Sequence, residues 1–186
     1  MTQPNSLRPP EPCLPDDWRD LGALAGHIVA AHHRYVREAV PDLTRHLRRL
    51  VLRQGLNRPE LSTVEHTFAQ LGPDLLAHLD KEEHILFPYI CELATAESGH
   101  RPRPLSPFGT IANPLRMMEE EHLTAMDQLI ALRDLTSNYT PPAAWPQADA
   151  DCYAALARFD ADFQRHVYLE NTLLFPRALD LESRLS

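Results

Sequence analysis

The sequence predicts an all-α protein: a four-helix up-down bundle with a pseudo-twofold internal repeat. Three observations predict it. Four long stretches carry apolar residues at spacings of three, four and seven, the period of a helix with one buried face. Breaker-rich segments separate them at "RQGLNRPE" (53–60), "ESGHRPRPLSPFG" (97–109) and "TSNYTPPAAWPQ" (136–147). One segment is written twice, as "HLDKEEHILFP" at 78–88 and "HVYLENTLLFP" at 166–176. No stretch shows the alternation and turn spacing of a sheet protein, and loops that join neighbouring helices make a bundle.

Taken in order, residues 1–16 form a proline-rich segment expected to be a disordered or loosely docked tail, and residues 17–186 form the bundle. In the first helical stretch Val29, Val36 and Val40 share a stripe with His33. In the second, Leu71, Leu75, Ile85 and Leu86 surround His78. In the third, Leu115, Met118, Ala125, Met126 and Leu129 surround His122. In the fourth, Phe159, Phe163, Leu169, Leu173 and Leu174 surround His166. Each of these histidines therefore lies on the core stripe of its helix. Pro41, Pro73 and Pro88 are expected to kink or locally break the helices, because proline lacks the N–H and its ring crowds the preceding turn. The Phe-Pro that closes each copy of the repeat is expected to be a packing and helix-termination device.

Composition narrows the function. A net charge of −8 argues against a nucleic-acid backbone or an anionic membrane as partner. No apolar run approaches the ~18 residues of a membrane span, and the N-terminal segment has no apolar stretch of the secretory kind. Cys13, Cys91 and Cys152 are scattered and odd in number, which suggests a reducing, cytoplasmic setting. The oligomeric state has no signature here. Ten histidines are the unusual feature of the composition.

The histidines repeat with the helices. His33 and His122 are 89 residues apart, while His78 and His166, like Glu82 and Glu170, are 88 apart. The chain thus reads as two helix pairs of one design, each supplying a core His and then a His-x-x-x-Glu. A single His-x-x-x-Glu is usually a solvated i, i+4 pair, and a single His on an apolar stripe is usually a satisfied core residue. Two matched pairs plus two further core histidines at the same offset point elsewhere. Four imidazoles and two carboxylates meeting in an apolar interior would be costly unless cations were bound there. Two carboxylates on facing helices can each bridge two metals, and mixed imidazole–carboxylate ligation without thiolate favours iron or manganese over calcium or structural zinc.

The segments "HHRYVREAVPDL", "HLDKEEHILFP", "MMEEEH", "NYTPP" and "HVYLENTLLFPRAL", spread over about residues 17–180, carry a resemblance. They resemble a hemerythrin-like (HHE) di-iron domain, and more closely the iron–sulfur cluster repair di-iron family. The resemblance implies the metal ligands His33, His78, Glu82, His122, His166 and Glu170, with Glu82 and Glu170 bridging. It implies two non-haem iron ions as cofactor, with an oxo or hydroxo bridge. His32 competes with His33; His33 keeps the 89-residue offset. The repair family typically carries an N-terminal domain with a Cys-Cys pair, where this sequence has a short segment with the single Cys13.

The implied function is action on NO, O₂ or peroxide in nitrosative or oxidative stress, in support of iron–sulfur cluster repair. The alternatives are a reversible O₂/NO binding module, as sensor or carrier, and a ferritin-like peroxidase or iron store. All of these use the same ligands, so the ligand residues do not choose among them. Asp74 and Glu119 point to the faces of His78 and His122 and are candidates to support the ligands or line an access path. Glu121 is expected to point away from His122. His27, His46, His66, His84 and His100 are read as non-ligands, and Tyr35 and Tyr153 as near the core.

Overall fold

A computed structural model of the chain describes residues 16–185. Apart from Asp16, the tail expected over residues 1–16 lies outside the described residues. After a 3₁₀ turn at Asp16–Arg19, four long helices follow: α1 (21–54), α2 (60–98), α3 (112–135) and α4 (147–184). No strand occurs among the described residues. The breaks fall in the three segments marked by Gly, Pro and Asn. Asp20 opens α1 by accepting the Ala23 N–H at 2.7 Å, and Pro59 and Pro146 precede the first residues of α2 and α4. α1 packs on α2 and α4, α2 packs also on α3, and α3 completes the bundle against α4. Gly72 permits the α1–α2 approach, since a Cβ there would stand 2.8 Å from Val40 Cγ1.

Two apolar clusters hold the bundle. One contains Leu43, Leu47, Val64, Phe68, Leu129 and Phe159. The other contains Leu24, Ile28, Ile90, Leu93, Phe175 and Leu181. Each fully buried side chain of this size contributes roughly 1.5–3 kcal/mol relative to exposure. His33 and His122 fall where one cluster gives way to the other, His122 between Met118 and Ala125, and on the other two helices the change comes just after His78 and His166, beyond Leu79 and Val167. The polar centre is therefore clamped between two dry cores.

Three of the four long helices contain a π turn, and each falls at a site residue: Val29–His33 in α1, Glu82–Leu86 in α2 and Leu169–Leu174 in α4. The i→i−5 bonds Arg34 N–H to Val29 O, Phe87 N–H to Glu82 O and Phe175 N–H to Glu170 O mark them. This corrects the expected role of Phe-Pro. The helices do not terminate there; Phe87-Pro88 and Phe175-Pro176 open the next α-helical segment. The physical reason is that the wider π turn relieves the clash between a proline ring and the carbonyl four residues back. Pro41 and Pro73 likewise sit inside uninterrupted helical segments instead of breaking them. The π turn also explains why Ile85, placed on the core stripe by a 3.6-residue period, is 51% exposed while Leu86 is buried. More residues per turn rotate Ile85 outward. Met126, at the edge of the α3 stripe, is 36% exposed.

Candidate metal centre

The residues singled out by the repeat converge. His33, Glu82, His166 and Glu170 bring one donor atom each to within 4.8 Å of one another, and so do His78, Glu82, His122 and Glu170. All six side chains are buried. Both carboxylates belong to both groups. Glu170 divides its oxygens: Oε1 lies 2.7 Å from His166 Nε2 and 3.7 Å from His33 Nε2, while Oε2 lies 3.0 Å from His122 Nε2. Glu82 Oε2 lies 3.5 Å from His33 Nε2, 3.4 Å from His78 Nε2 and 4.0 Å from His166 Nε2. The structure brings His33 into the cluster at 0% exposure. His32 is turned aside, with Nδ1 2.9 Å from Asp162 Oδ1.

The outer ring nitrogens are held by other helices. His33 Nδ1 donates to Glu83 Oε1 at 3.0 Å, His78 Nδ1 to Glu121 Oε2 at 2.9 Å, and His122 Nδ1 to Asn171 Oδ1 at 3.0 Å. A proton fixed on Nδ1 turns the Nε2 lone pair to the centre, the arrangement of a metal-binding imidazole. Arg37 pairs with Glu83 at 3.0 Å and Lys81 pairs with Glu121. Phe87 stacks on His33 with centroids 5.5 Å apart, and Phe175 on His122 at 6.2 Å. The Phe of each repeat thus braces a histidine of the preceding helix.

The sequence did not point to Glu83, Glu121 and Asn171. A signal was present: Glu83 and Asn171 each follow a site Glu and are themselves 88 residues apart. Glu121 does turn away from His122, but towards His78 on the neighbouring helix. Asp74 and Glu119 are exposed; Asp74 lines a cleft of about 200 Å³ with His78, Lys81, Glu121, Thr124 and Gln128, between α2 and α3. His84 bonds the Asp80 carbonyl at 2.8 Å, away from the cluster. Tyr153 is buried and Tyr35 half-buried, both in contact with the larger apolar cluster.

The charges test whether cations fit. His78 Nε2, both Glu82 oxygens, His122 Nε2 and Glu170 Oε2 are buried without a hydrogen-bond partner among the described residues. Lone pairs left this way in an apolar interior cost about 1–3 kcal/mol each or more. In the metal-free chain, protons are drawn in instead. Burial alone would lower the His78 pKa, but the adjoining Glu82 carboxylate, with the charge of Glu170, outweighs it and pushes it up to about 9. His33 is raised in the same way, its burial opposed by Glu170 and Glu82. Burial opposes ionisation of Glu170, yet the adjoining His166, His122 and His33 hold its carboxyl well below the usual range. Two carboxylates that require positive charge, ringed by four inward-facing imidazoles and no thiolate, fit a pair of metal ions.

The hemerythrin HHE cation-binding domain family matches residues 25–178. The iron-sulfur cluster repair protein YtfE of Musicola paradisiaca (strain Ech703) is 34% identical over 177 residues, covering 91% of this chain and 71% of the relative. The protein of the same name from Dickeya chrysanthemi (strain Ech1591) is 33% identical over 173 residues, covering 91% and 72%. That from Yersinia pestis (strain Pestoides F) is 30% identical over 172 residues, with the same coverage.

Proposed function

The chain belongs to the hemerythrin HHE cation-binding family, and on that premise we propose that it is a non-haem di-iron protein acting on NO, O₂ or peroxide in nitrosative or oxidative stress, in support of iron–sulfur cluster repair. His33 and His166 would hold one iron and His78 and His122 the other, with Glu82 and Glu170 available to both. The observation that carries this reading is the sharing of both carboxylates between the two donor groups, with the Glu170 oxygens facing different groups. The repair role is the one named for the relatives.

When bound, a diferrous pair supplies two electrons and coordination positions that the protein leaves open. The chain supplies the rest. Each metal position has four protein donors, which leaves room for a small ligand at an ion that prefers more. The two apolar clusters exclude bulk water from both ends of the centre. The cleft beside His78 gives small molecules an approach between α2 and α3. Glu83, Glu121 and Asn171 keep the imidazoles aimed inward throughout.

Four donors per ion favour reaction over simple carriage. The protein reduced anaerobically is therefore expected to be oxidised by O₂ within the mixing experiment, and flushing with argon should not restore the reduced spectrum. It should also respond to NO with a changed absorption and electron-spin signal. Recovery of the reduced spectrum without added reductant would instead establish a reversible carrier or sensor. No helix among the described residues is long and apolar enough to cross a membrane.

A further inference from the structure

The repeat extends one turn further back. "DLLAH" (74–78) and "DFQRH" (162–166) place an aspartate four residues before His78 and before His166. The two aspartates have different surroundings. Asp74 is exposed, and Glu121 of α3 takes the Nδ1 proton of His78 at 2.9 Å. Under the 89-residue offset, the position of Glu121 is taken by His32. The His32 ring lies parallel to that of His166, with centroids 6.0 Å apart and planes 10° apart. Its Nδ1 holds Asp162 Oδ1 at 2.9 Å. The second oxygen of Asp162 and the Nδ1 of His166 are both buried without a hydrogen-bond partner among the described residues. The other atoms in that condition are His78 Nε2, both Glu82 oxygens, His122 Nε2 and Glu170 Oε2, all donors of the metal centre. The two left over are an acceptor and a donor, one helical turn apart on one face of α4.

We propose that Asp162 is the positioning residue of His166, accepting its Nδ1 proton when Nε2 holds a metal. The role rests on the di-iron reading, because only a metal at Nε2 calls for it. In the metal-free chain His166 Nε2 donates to Glu170 Oε1 at 2.7 Å. With a metal on Nε2, the ring proton sits on Nδ1, and a buried N–H requires an acceptor. Asp162 Oδ2 is the buried acceptor without a partner on that side of the centre, and His32 holds the other oxygen. The two halves of the repeat thus solve one problem differently. In one, the support crosses from α3 and Asp74 is left at the surface. In the other, His32 replaces that support and Asp162 comes from one turn back on the same helix. The assignment makes the two metal positions unequal. His33 and His166 are then both backed by carboxylates, Glu83 and Asp162, whereas His78 and His122 are backed by one carboxylate and one amide, Glu121 and Asn171. A carboxylate behind an imidazole makes it a more basic ligand, so the His33–His166 position favours ferric iron more strongly than its neighbour does.

The test uses the iron-loaded full chain. Iron affinity is read by competition with a chelator, and the midpoint potential of the iron pair by a spectroscopic redox titration. Asp162→Ala is expected to weaken iron binding about 10–100-fold. Asp74→Ala, the same change in the other half, is expected to leave iron binding unchanged, as is His32→Ala, which keeps the carboxylate. Asp162→Asn keeps an acceptor oxygen and removes the charge. It is expected to hold iron like the unaltered chain and to raise the midpoint potential, because the ferric state loses more support than the ferrous one. Asp162→Ala binding iron as tightly as Asp74→Ala would overturn the role. So would His32→Ala losing as much affinity as Asp162→Ala, since Asp162 would then serve only to fix His32. An unchanged potential in Asp162→Asn would overturn it too, and that variant decides where Asp162→Ala fails to fold. An unaltered chain that holds no iron removes the function reading and the role together. One that holds iron, with affinity and potential indifferent to both Asp162 substitutions, removes the role alone.

Discussion

Glu82→Ala and Glu170→Ala are each expected to strip the protein of both metal ions, while His84→Ala leaves the metal in place. A shared carboxylate serves two positions, so its loss removes a donor from each and leaves the partner ions facing one another with less negative charge between them. Removing a group that merely supports a ligand typically costs 10–100-fold in metal affinity; removing a bridge should cost about 100-fold or more. His33→Ala should lose metal as well, and His32→Ala should not, since His32 bonds Asp162 outside the cluster. His84 bonds a backbone carbonyl and is the neutral control. Iron per chain after dialysis against a mild chelator reads all five. Equal retention in the Glu82, Glu170 and His84 variants would mean that the repeated His-x-x-x-Glu is an internal ion pair and not a ligand set.

Removing the metal is expected to make stability fall as the pH rises from about 6.5 to 9. In the metal-free chain the His78 pKa lies at about 9, above its ordinary 6.5. A raised histidine contributes stability fully below the unfolded value and loses it as pH climbs through the folded value. The His33 shift has the same sign. Glu170, held low, contributes above the ordinary carboxylate range and keeps contributing through this window. The histidine contribution at stake is on the order of a few kcal/mol. Bound metal requires neutral imidazoles, so the loaded protein gains what the metal-free protein loses. Thermal melts at pH 6.5 and 9 should therefore show the gap between loaded and metal-free protein widening with pH. A gap that narrows would contradict the charge balance described for the centre.

The parts legible in the sequence were those fixed by period and offset. Apolar residues every three or four positions give the four helices, and the 88- and 89-residue offsets bring His33, His78, Glu82, His122, His166 and Glu170 to one place. What a 3.6-residue period cannot show is a change of period. The π turns at His33, Glu82 and Glu170 rotate Ile85 to solvent and carry the helices past Pro88 and Pro176. Contacts between helices were equally hidden. Glu121 was assigned by its direction from His122, its neighbour in sequence, whereas its partner is His78 across the α2–α3 interface. His32, the near-duplicate of His33, lies beside the cluster because successive helical residues point about 100° apart.

Elemental analysis of protein produced with ample iron tests the central claim most directly. The account predicts about two irons per chain, with the near-ultraviolet absorption of a bridged ferric pair. One zinc ion per chain, or no metal, would contradict it.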